Sequence, residues 1–145
     1  MTRSLTVTWE DPLATFEEGK KLPKPLDYLR ALVAGKLPAP PIAKLLSMDL
    51  VEVEEGKAVF SLTPAEQHYN PIGVVHGGIA FTMLDSAMGC CVQTLLPAGK
   101  GYTTLEIKAN LAYLWLAHTY WFRVPFTGIA IATACFAIAA ALLFT

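Results

Sequence analysis

The sequence has little cysteine, no excess of basic charge and no apolar run at its start. Three cysteines in 145 residues, two of them the neighbours Cys90 and Cys91, form neither a disulfide framework nor a metal-ligand pattern. They indicate a reducing compartment, so we expect a cytoplasmic protein. The formal charge is −1 from 11 basic and 12 acidic residues, without a clustered basic face, which argues against a nucleic-acid partner. The first 20 residues also lack the basic start and apolar run of a secretory signal.

The length predicts one domain, in which three segments differ in character. Residues 1–25 have no clear period and are expected to be a flexible lead-in. Residues 26–110 carry the periodic segments and form the predicted core. Residues 111–145 are an atypical apolar tail.

The periodic segments predict an α+β fold. Residues 26–33 read as a short amphipathic helix, and residues 48–55 and 57–63 as two strands joined by a tight turn around Gly56. Residues 102–110 alternate like a further strand. With a long helix between these strands, the order predicts an antiparallel sheet around one helix.

The long helix begins after Gly77-Gly78 and is apolar on most sides. Its apolar residues recur every three or four positions up to Leu95, so we expect other elements to cover it. The exceptions form one narrow polar stripe: Thr82, Asp85, Ser86, Gly89 and Gln93. Asp85 is the only charged residue between Gln67 and Lys100. A carboxylate in such a helix is costly unless it is paired, hydrogen-bonded or functional, which makes Asp85 a catalytic candidate.

Two motifs carry a resemblance to a known family. The first is Asn70-Pro71-x-Gly73-x-x-His76-Gly77-Gly78, with Asp85 nine residues after the histidine, and the second is Pro97-Ala98-Gly99-x-Gly101-Tyr102-Thr103-Thr104-Leu105-Glu106. Together they resemble the PaaI-like acyl-CoA thioesterases of the hotdog fold, over residues 26–110. The resemblance implies a long central helix wrapped by a curved antiparallel sheet. It also implies a homodimer or homotetramer with active sites between subunits.

The resemblance further implies a role for each motif residue. Asp85 matches the nucleophile or general base that acts on the thioester carbonyl, and the Gly77 amide matches the donor to the carbonyl oxygen. Asn70 and His76 match residues that shape the loop and position the attacking group, and Thr104 matches a hydroxyl on the next strand. Independently of the family, amides at a helix N-terminus are unsatisfied and favour a developing oxyanion.

Each of these residues also has a structural interpretation. Asp85 can cap or pair within an interface, and His76 can simply pin the turn with a hydrogen bond. Asn70 precedes a proline and suits a turn, and Gly77-Gly78 suits a sterically required bend. Thr104 can be an ordinary strand residue, with Thr103 as the alternative hydroxyl.

The function that the resemblance implies is hydrolysis of aromatic or short to medium acyl-CoA thioesters. Coenzyme A would enter as part of the substrate, and we expect no cofactor and no metal. The alternatives are an inactive remnant that binds acyl-CoA or a partner, and a membrane-anchored protein. A hotdog dehydratase is a lesser alternative, against which the spacing from His76-Gly77-Gly78 to Asp85 argues.

The tail differs from the rest of the chain in its charge. Residues 111–145 contain one charged residue, Arg123, and do not align with the family pattern. We favour a shifted reading frame or a truncated gene product. The alternatives are a membrane anchor over residues 124–145, flanked by tryptophans, and unusually apolar strands.

Overall fold

A computed structural model of the chain describes residues 2–108. Within them the chain forms four α-helices, a hairpin of two strands and one turn of 3-10 helix. Their bounds are α1 Pro12–Lys20, α2 Pro25–Val33, α3 Pro41–Leu46, β1 Met48–Glu54, β2 Lys57–Leu62, the 3-10 turn Glu66–His68 and α4 Gly77–Leu95. The two predicted strands and the long predicted helix are therefore present close to their expected bounds.

The hairpin is antiparallel and is attached to the C-terminal end of α4. Its register pairs Met48 with Leu62, and a bulge shifts the register between Leu50 and Glu52. At the hairpin turn the Gly56 N–H donates to Thr94 Oγ1 at 2.8 Å. This long-range hydrogen bond ties the turn to the last part of α4.

The core lies between the inner face of the hairpin and one face of α4. Met83 and Ala87 are one turn apart on α4 and both are buried. They pack with Ala43 and with four hairpin residues: Met48, Ala58, Phe60 and Leu62. Burial of a side chain such as Met83 stabilises the fold by about 1.5–3 kcal/mol. The predicted α+β class, with a long helix against an antiparallel sheet, is confirmed.

The structure differs from the expected flexible lead-in over residues 1–25, because α1 forms within it. Asp11 caps this helix, with its Oδ1 accepting from the N–H of Leu13 at 2.8 Å. The Phe16 ring meets the Tyr28 ring edge to face, with centroids 6.3 Å apart. A cap and an aromatic contact thus hold α1 on α2, although its apolar residues are too few for a clear period.

A strand is predicted over residues 102–110, but the described part of that segment, residues 102–108, belongs to no helix or strand of the structure. A strand needs a hydrogen-bonded neighbour, and none of residues 2–101 pairs with this segment. Residues 109–110 and the apolar tail, with its three interpretations, fall outside the described residues. None of the helices between residues 2 and 108 is both long and apolar enough to cross a membrane.

Candidate active site

The loop before α4 is held by the side chain of Asn70. Its Oδ1 accepts hydrogen bonds from the N–H of Ile72 at 3.1 Å and of Val74 at 3.2 Å. The Asn70 N–H donates to the Val74 carbonyl at 2.8 Å. An Asn side chain that bonds the backbone ahead of it is a common way to close a turn. The structural interpretation of Asn70 therefore has direct geometric support.

His76 is the N-cap of α4. Its Nδ1 accepts from the Gly78 N–H at 2.9 Å, and a Cβ at Gly78 would lie only 2.9 Å from the same atom. A side chain at position 78 would therefore have to displace the His76 ring. Because Nδ1 is the acceptor, the hydrogen bond assigns the proton of the neutral ring to Nε2.

The sequence did not single out His68, a buried residue that helps to hold the same turn. His68 is only 2% exposed, and its Nδ1 accepts from the Ala65 N–H at 3.0 Å. The His76 N–H donates to the backbone carbonyl of His68 at 2.8 Å. His68 Nε2 has no hydrogen-bond partner among the described residues. Nothing in the spacing around His68 distinguished it from a surface residue.

Gly77 is the first residue of α4. Within the described part of the chain its N–H has no acceptor, whereas the amides of Gly78 and Ile79 are both bonded to His76. The N-terminal amides of a helix also lie at the positive end of its dipole. The Gly77 N–H is thus available for a partially negative oxygen of a ligand.

Asp85 and Thr104 contact each other directly. The Thr104 hydroxyl donates to Asp85 Oδ1 at 2.7 Å, and both residues are exposed. Thr103, the alternative hydroxyl, has no such bond within the described chain. The structure therefore brings together the predicted carboxylate and the predicted hydroxyl, which lie on different segments.

Asp85 and Thr104 line one wall of a groove of about 580 Å³. This is within the range of about 300–1,000 Å³ that small-molecule sites usually have. Ser86, Cys90 and Tyr102 continue the same wall. The other walls come from α2, α3, the segment between them and the hairpin, with Leu32, Val33, Ala39, Pro40, Ile42, Ala43, Met48, Asp49, Leu50, Val51 and Phe60. The groove is therefore mainly apolar with a polar strip around Asp85.

Two groups beside Asp85 are held in their neutral form. Burial raises the pKa of the Cys90 thiol to about 11, and the nearby Cys91 and Asp85 add to the effect. Burial likewise raises the pKa of Tyr102, with further contributions from Cys90 and Asp85. Asp85 is thus next to a neutral thiol and a neutral phenol. Within residues 2–108 no group of three His, Cys, Asp or Glu side chains is arranged to hold a metal ion.

The predicted site residues fall into two clusters. The turn cluster is Asn70, His76 and Gly77, and the helix cluster is Asp85 and Thr104. Gly77 and Asp85 are eight residues apart on α4, which is about 12 Å at 1.5 Å per residue. None of the turn cluster lines the groove. One copy of the chain therefore does not bring the Gly77 amide and the Asp85 carboxylate to the same atom.

Comparison with known proteins places these residues within a family. Residues 32–121 match the domain of unknown function DUF4442, which covers both clusters. The chain is 29% identical over 69 residues to a 1,4-dihydroxy-2-naphthoyl-CoA hydrolase of Listeria monocytogenes serotype 1/2a (strain 10403S), covering 48% of this chain and 56% of that protein. It is 29% identical over 65 residues to human acyl-coenzyme A thioesterase 13, covering 45% and 44%. The chain thus spans about half the length of the curated relatives it matches.

Among solved structures, the conserved protein PA5202 from Pseudomonas aeruginosa is similar with a TM-score of 0.47 and 30% identity. The match covers 50% of this chain and 58% of that one. Together with the family match, the relatives confirm the resemblance to PaaI-type thioesterases that the two motifs indicated.

Proposed function

The chain belongs to the DUF4442 family, and we propose that it hydrolyses acyl-CoA thioesters to a free acid and coenzyme A. The observation that carries the proposal is the hydrogen bond from Thr104 to Asp85 at the edge of the groove. Within residues 2–108 the only hydrogen-bond partner of Asp85 is this hydroxyl, which comes from another segment of the chain, beside a cavity of substrate size.

The groove has an apolar part and a polar part, which suit different parts of the substrate. Its walls from α2, α3 and the hairpin suit an acyl group, because burial of apolar surface favours binding. The exposed strip with Asp85 and Thr104 suits the thioester itself. We propose aromatic or short to medium acyl groups as the substrates, with no metal and no cofactor other than the coenzyme A of the substrate.

Asp85 is the proposed reactive group. The Thr104 hydroxyl occupies Oδ1 and fixes the orientation of the carboxylate, which leaves Oδ2 for the reaction. Asp85 either attacks the carbonyl carbon or removes a proton from the attacking water. In both routes the carbon–sulfur bond breaks, the thiolate of coenzyme A leaves and takes up a proton, and one water is consumed per acid released.

The carbonyl oxygen needs a donor that the helix cluster of the same chain does not supply. The Gly77 amide is such a donor, but it is about 12 Å from Asp85 along α4. We therefore propose a homodimer, or a homotetramer built from such dimers, in which Gly77 of one copy faces Asp85 of the other. In a two-fold dimer this arrangement makes two identical sites.

The test is thiol release from a panel of aromatic, short-chain and medium-chain acyl-CoA substrates. We compare the full chain with Asp85→Asn, which removes the charge but retains an oxygen for Thr104. The expected loss in kcat/KM is at least on the order of 10³-fold, because both proposed roles need the carboxylate.

Two results would overturn the proposal. Turnover that is unchanged in Asp85→Asn would remove Asp85 from the chemistry, and no turnover on any substrate would remove the activity. Gln93→Ala serves as the matched control, because Gln93 lies on the same polar stripe of α4 but does not line the groove. It should keep the rate within about threefold, which corresponds to less than about 0.7 kcal/mol.

A further inference from the structure

We infer that Gly89 and Tyr102 are positioning residues, which together hold the Thr104 hydroxyl against Asp85. This inference rests on the proposed function for its kinetic consequence and on the contacts around α4 for its geometry. Gly89 is buried in the interior of a 19-residue helix, where glycine is less favourable than alanine. Helix stability alone therefore does not account for a glycine at this position.

The ring of Tyr102 lies directly against Gly89. A Cβ at Gly89 would lie 2.9 Å from Cε2 and from Cζ of that ring, and closer still to its oxygen. Real Cβ atoms do not approach other atoms so closely. The bare backbone of Gly89 is thus the surface on which the end of the Tyr102 side chain lies.

The contact of Tyr102 with Gly89 and the hydrogen bond of Thr104 with Asp85 have the same spacing along α4 and along the segment that follows it. Asp85 and Gly89 are four residues apart on the helix, a rise of about 6 Å. Tyr102 and Thr104 are two residues apart, which spans about 6.6 Å in an extended segment. The later residue of the segment meets the earlier residue of the helix, so the segment runs antiparallel to α4. Seating Tyr102 on Gly89 therefore brings Thr104 opposite Asp85.

The phenol provides no polar anchor of its own. Its oxygen makes no hydrogen bond with any residue between 2 and 108, and burial, together with the nearby Cys90 and Asp85, raises the pKa of the hydroxyl. The fit of the ring against Gly89, and not a bond of its hydroxyl, therefore fixes the segment. Thr104 itself is exposed, so it depends on its neighbour for its position.

The test begins with Gly89→Ala in the full chain. The added methyl group displaces Tyr102, and with it Thr104, so we expect kcat to fall on the order of 100-fold while KM changes little. Gly101→Ala is the matched control, because a Cβ at Gly101 meets no atom within 4 Å among the described residues. It adjoins Tyr102 in the chain and should keep the wild-type kcat.

Two further variants separate positioning from a general loss of structure. Thr104→Val should lower kcat by a similar factor, and Gly89→Ala should then cost almost nothing more, since the bond it disrupts is already gone. Tyr102→Leu removes the ring that lies on Gly89, so it should also lower kcat, and adding Gly89→Ala to it should cost little more, because the clashing atoms Cε2, Cζ and Oη are already absent. Additive losses in either pair would overturn the inference.

A crystal structure of Gly89→Ala tests the geometry without turnover. The distance from Thr104 Oγ1 to Asp85 Oδ1 should increase from 2.7 Å to beyond the hydrogen-bonding limit of about 3.5 Å. If the ring swings aside and this bond remains, the inference fails even when the protein is an active thioesterase. If the bond breaks in a protein that shows no hydrolysis, the positioning role stands and the proposed function fails.

Discussion

The turn cluster and the helix cluster use their side chains in opposite ways. In the turn cluster, Asn70 Oδ1 and His76 Nδ1 both accept hydrogen bonds from backbone amides of their own loop or of the helix start. In the helix cluster, the Asp85 carboxylate accepts from a side chain 19 residues away, beside an open groove. The first arrangement fixes the backbone, and the second holds a carboxylate at the edge of the groove.

The difference supports the site that we propose between two copies of the chain. The side chains of the turn cluster are engaged in holding the first turn of α4, and what they leave available is the Gly77 N–H. The helix cluster leaves a carboxylate oxygen available. A donor without an acceptor at the start of α4 and an acceptor in its interior are complementary, but within one chain they are too far apart to meet.

Within the turn cluster, the largest effect should come from removing the Gly77 amide. Gly77→Pro deletes the N–H, and proline is well tolerated as the first residue of a helix. The φ of −65° and ψ of 133° at His76 are also compatible with a following proline. We expect kcat for acyl-CoA hydrolysis to fall on the order of 10²–10³-fold, the usual cost of losing one oxyanion donor.

Gly77→Ala retains the N–H and is the matched control, so its kcat should stay much closer to wild type. Mixing Gly77→Pro with Asp85→Asn then tests whether the two clusters act across copies. In randomly re-formed dimers half are mixed, and each mixed dimer has one intact site, so about a quarter of the wild-type rate should return. If the mixture is as inactive as the two variants alone, the arrangement across two copies is wrong.

The next effect concerns the turn itself. Asn70→Ala removes the acceptor for the exposed N–H of Ile72 and leaves the partly buried N–H of Val74 unsatisfied. We expect the free energy of unfolding, measured by urea denaturation, to fall by about 2 kcal/mol. Such a loss would mean that Asn70 of the turn cluster acts by stabilising the fold, in contrast to the proposed chemical role of the helix cluster.

Asn70→Asp retains the Oδ1 acceptor and should stay within about 0.5 kcal/mol of wild type. Equal destabilisation by alanine and aspartate would mean that the amide nitrogen of Asn70, and not its oxygen, does the structural work.

Much of the fold follows from local pattern, and the exceptions have physical causes. The helix α4 and the hairpin were predicted because their apolar residues repeat at helical and strand periods over enough positions. The helix α1 was missed because its stability comes from the Asp11 cap, from Pro12 at its first position and from the docking of Phe16 on Tyr28. A cap without an apolar stripe gives little signal in the sequence.

The site was predictable as a set of residues but not as a geometry. The resemblance identified Asp85 and Thr104 separately, and their contact depends on how residues 102–104 lie along α4. That register comes from the fit of Tyr102 on Gly89, which no spacing in the sequence specifies. His68 was overlooked for a similar reason, since its burial depends on the folded turn. The catalytic roles of all five predicted residues stay predictions until the variants are measured.

The smallest expected effect is a pH dependence of the free energy of unfolding that comes from the surroundings of the helix cluster and not from the turn cluster. Cys90 and Tyr102, whose pKa values are raised by burial, both belong to the surroundings of the helix cluster. The Cys90 thiol keeps its proton to a pH of about 11 in the folded chain, against a reference value of 9.0 when exposed. Between these values the unfolded chain has released the proton and the folded chain has not, so the free energy of unfolding must fall as pH rises.

Between pH 9 and pH 11 the free energy of unfolding, measured by urea denaturation, should fall by about 1 kcal/mol because of Cys90. This figure is reduced to allow for the partial exposure of the thiol. Cys90→Ala removes the titrating thiol, so its stability should decline less steeply over the same range, the remainder being due to Tyr102. Asn70→Ala, in contrast, should lower stability by the same amount at pH 8 and at pH 10.5, since it leaves both titrating groups in place. If Cys90→Ala has the wild-type slope, burial does not hold the thiol neutral, and the wall beside Asp85 is more open to water than the groove implies.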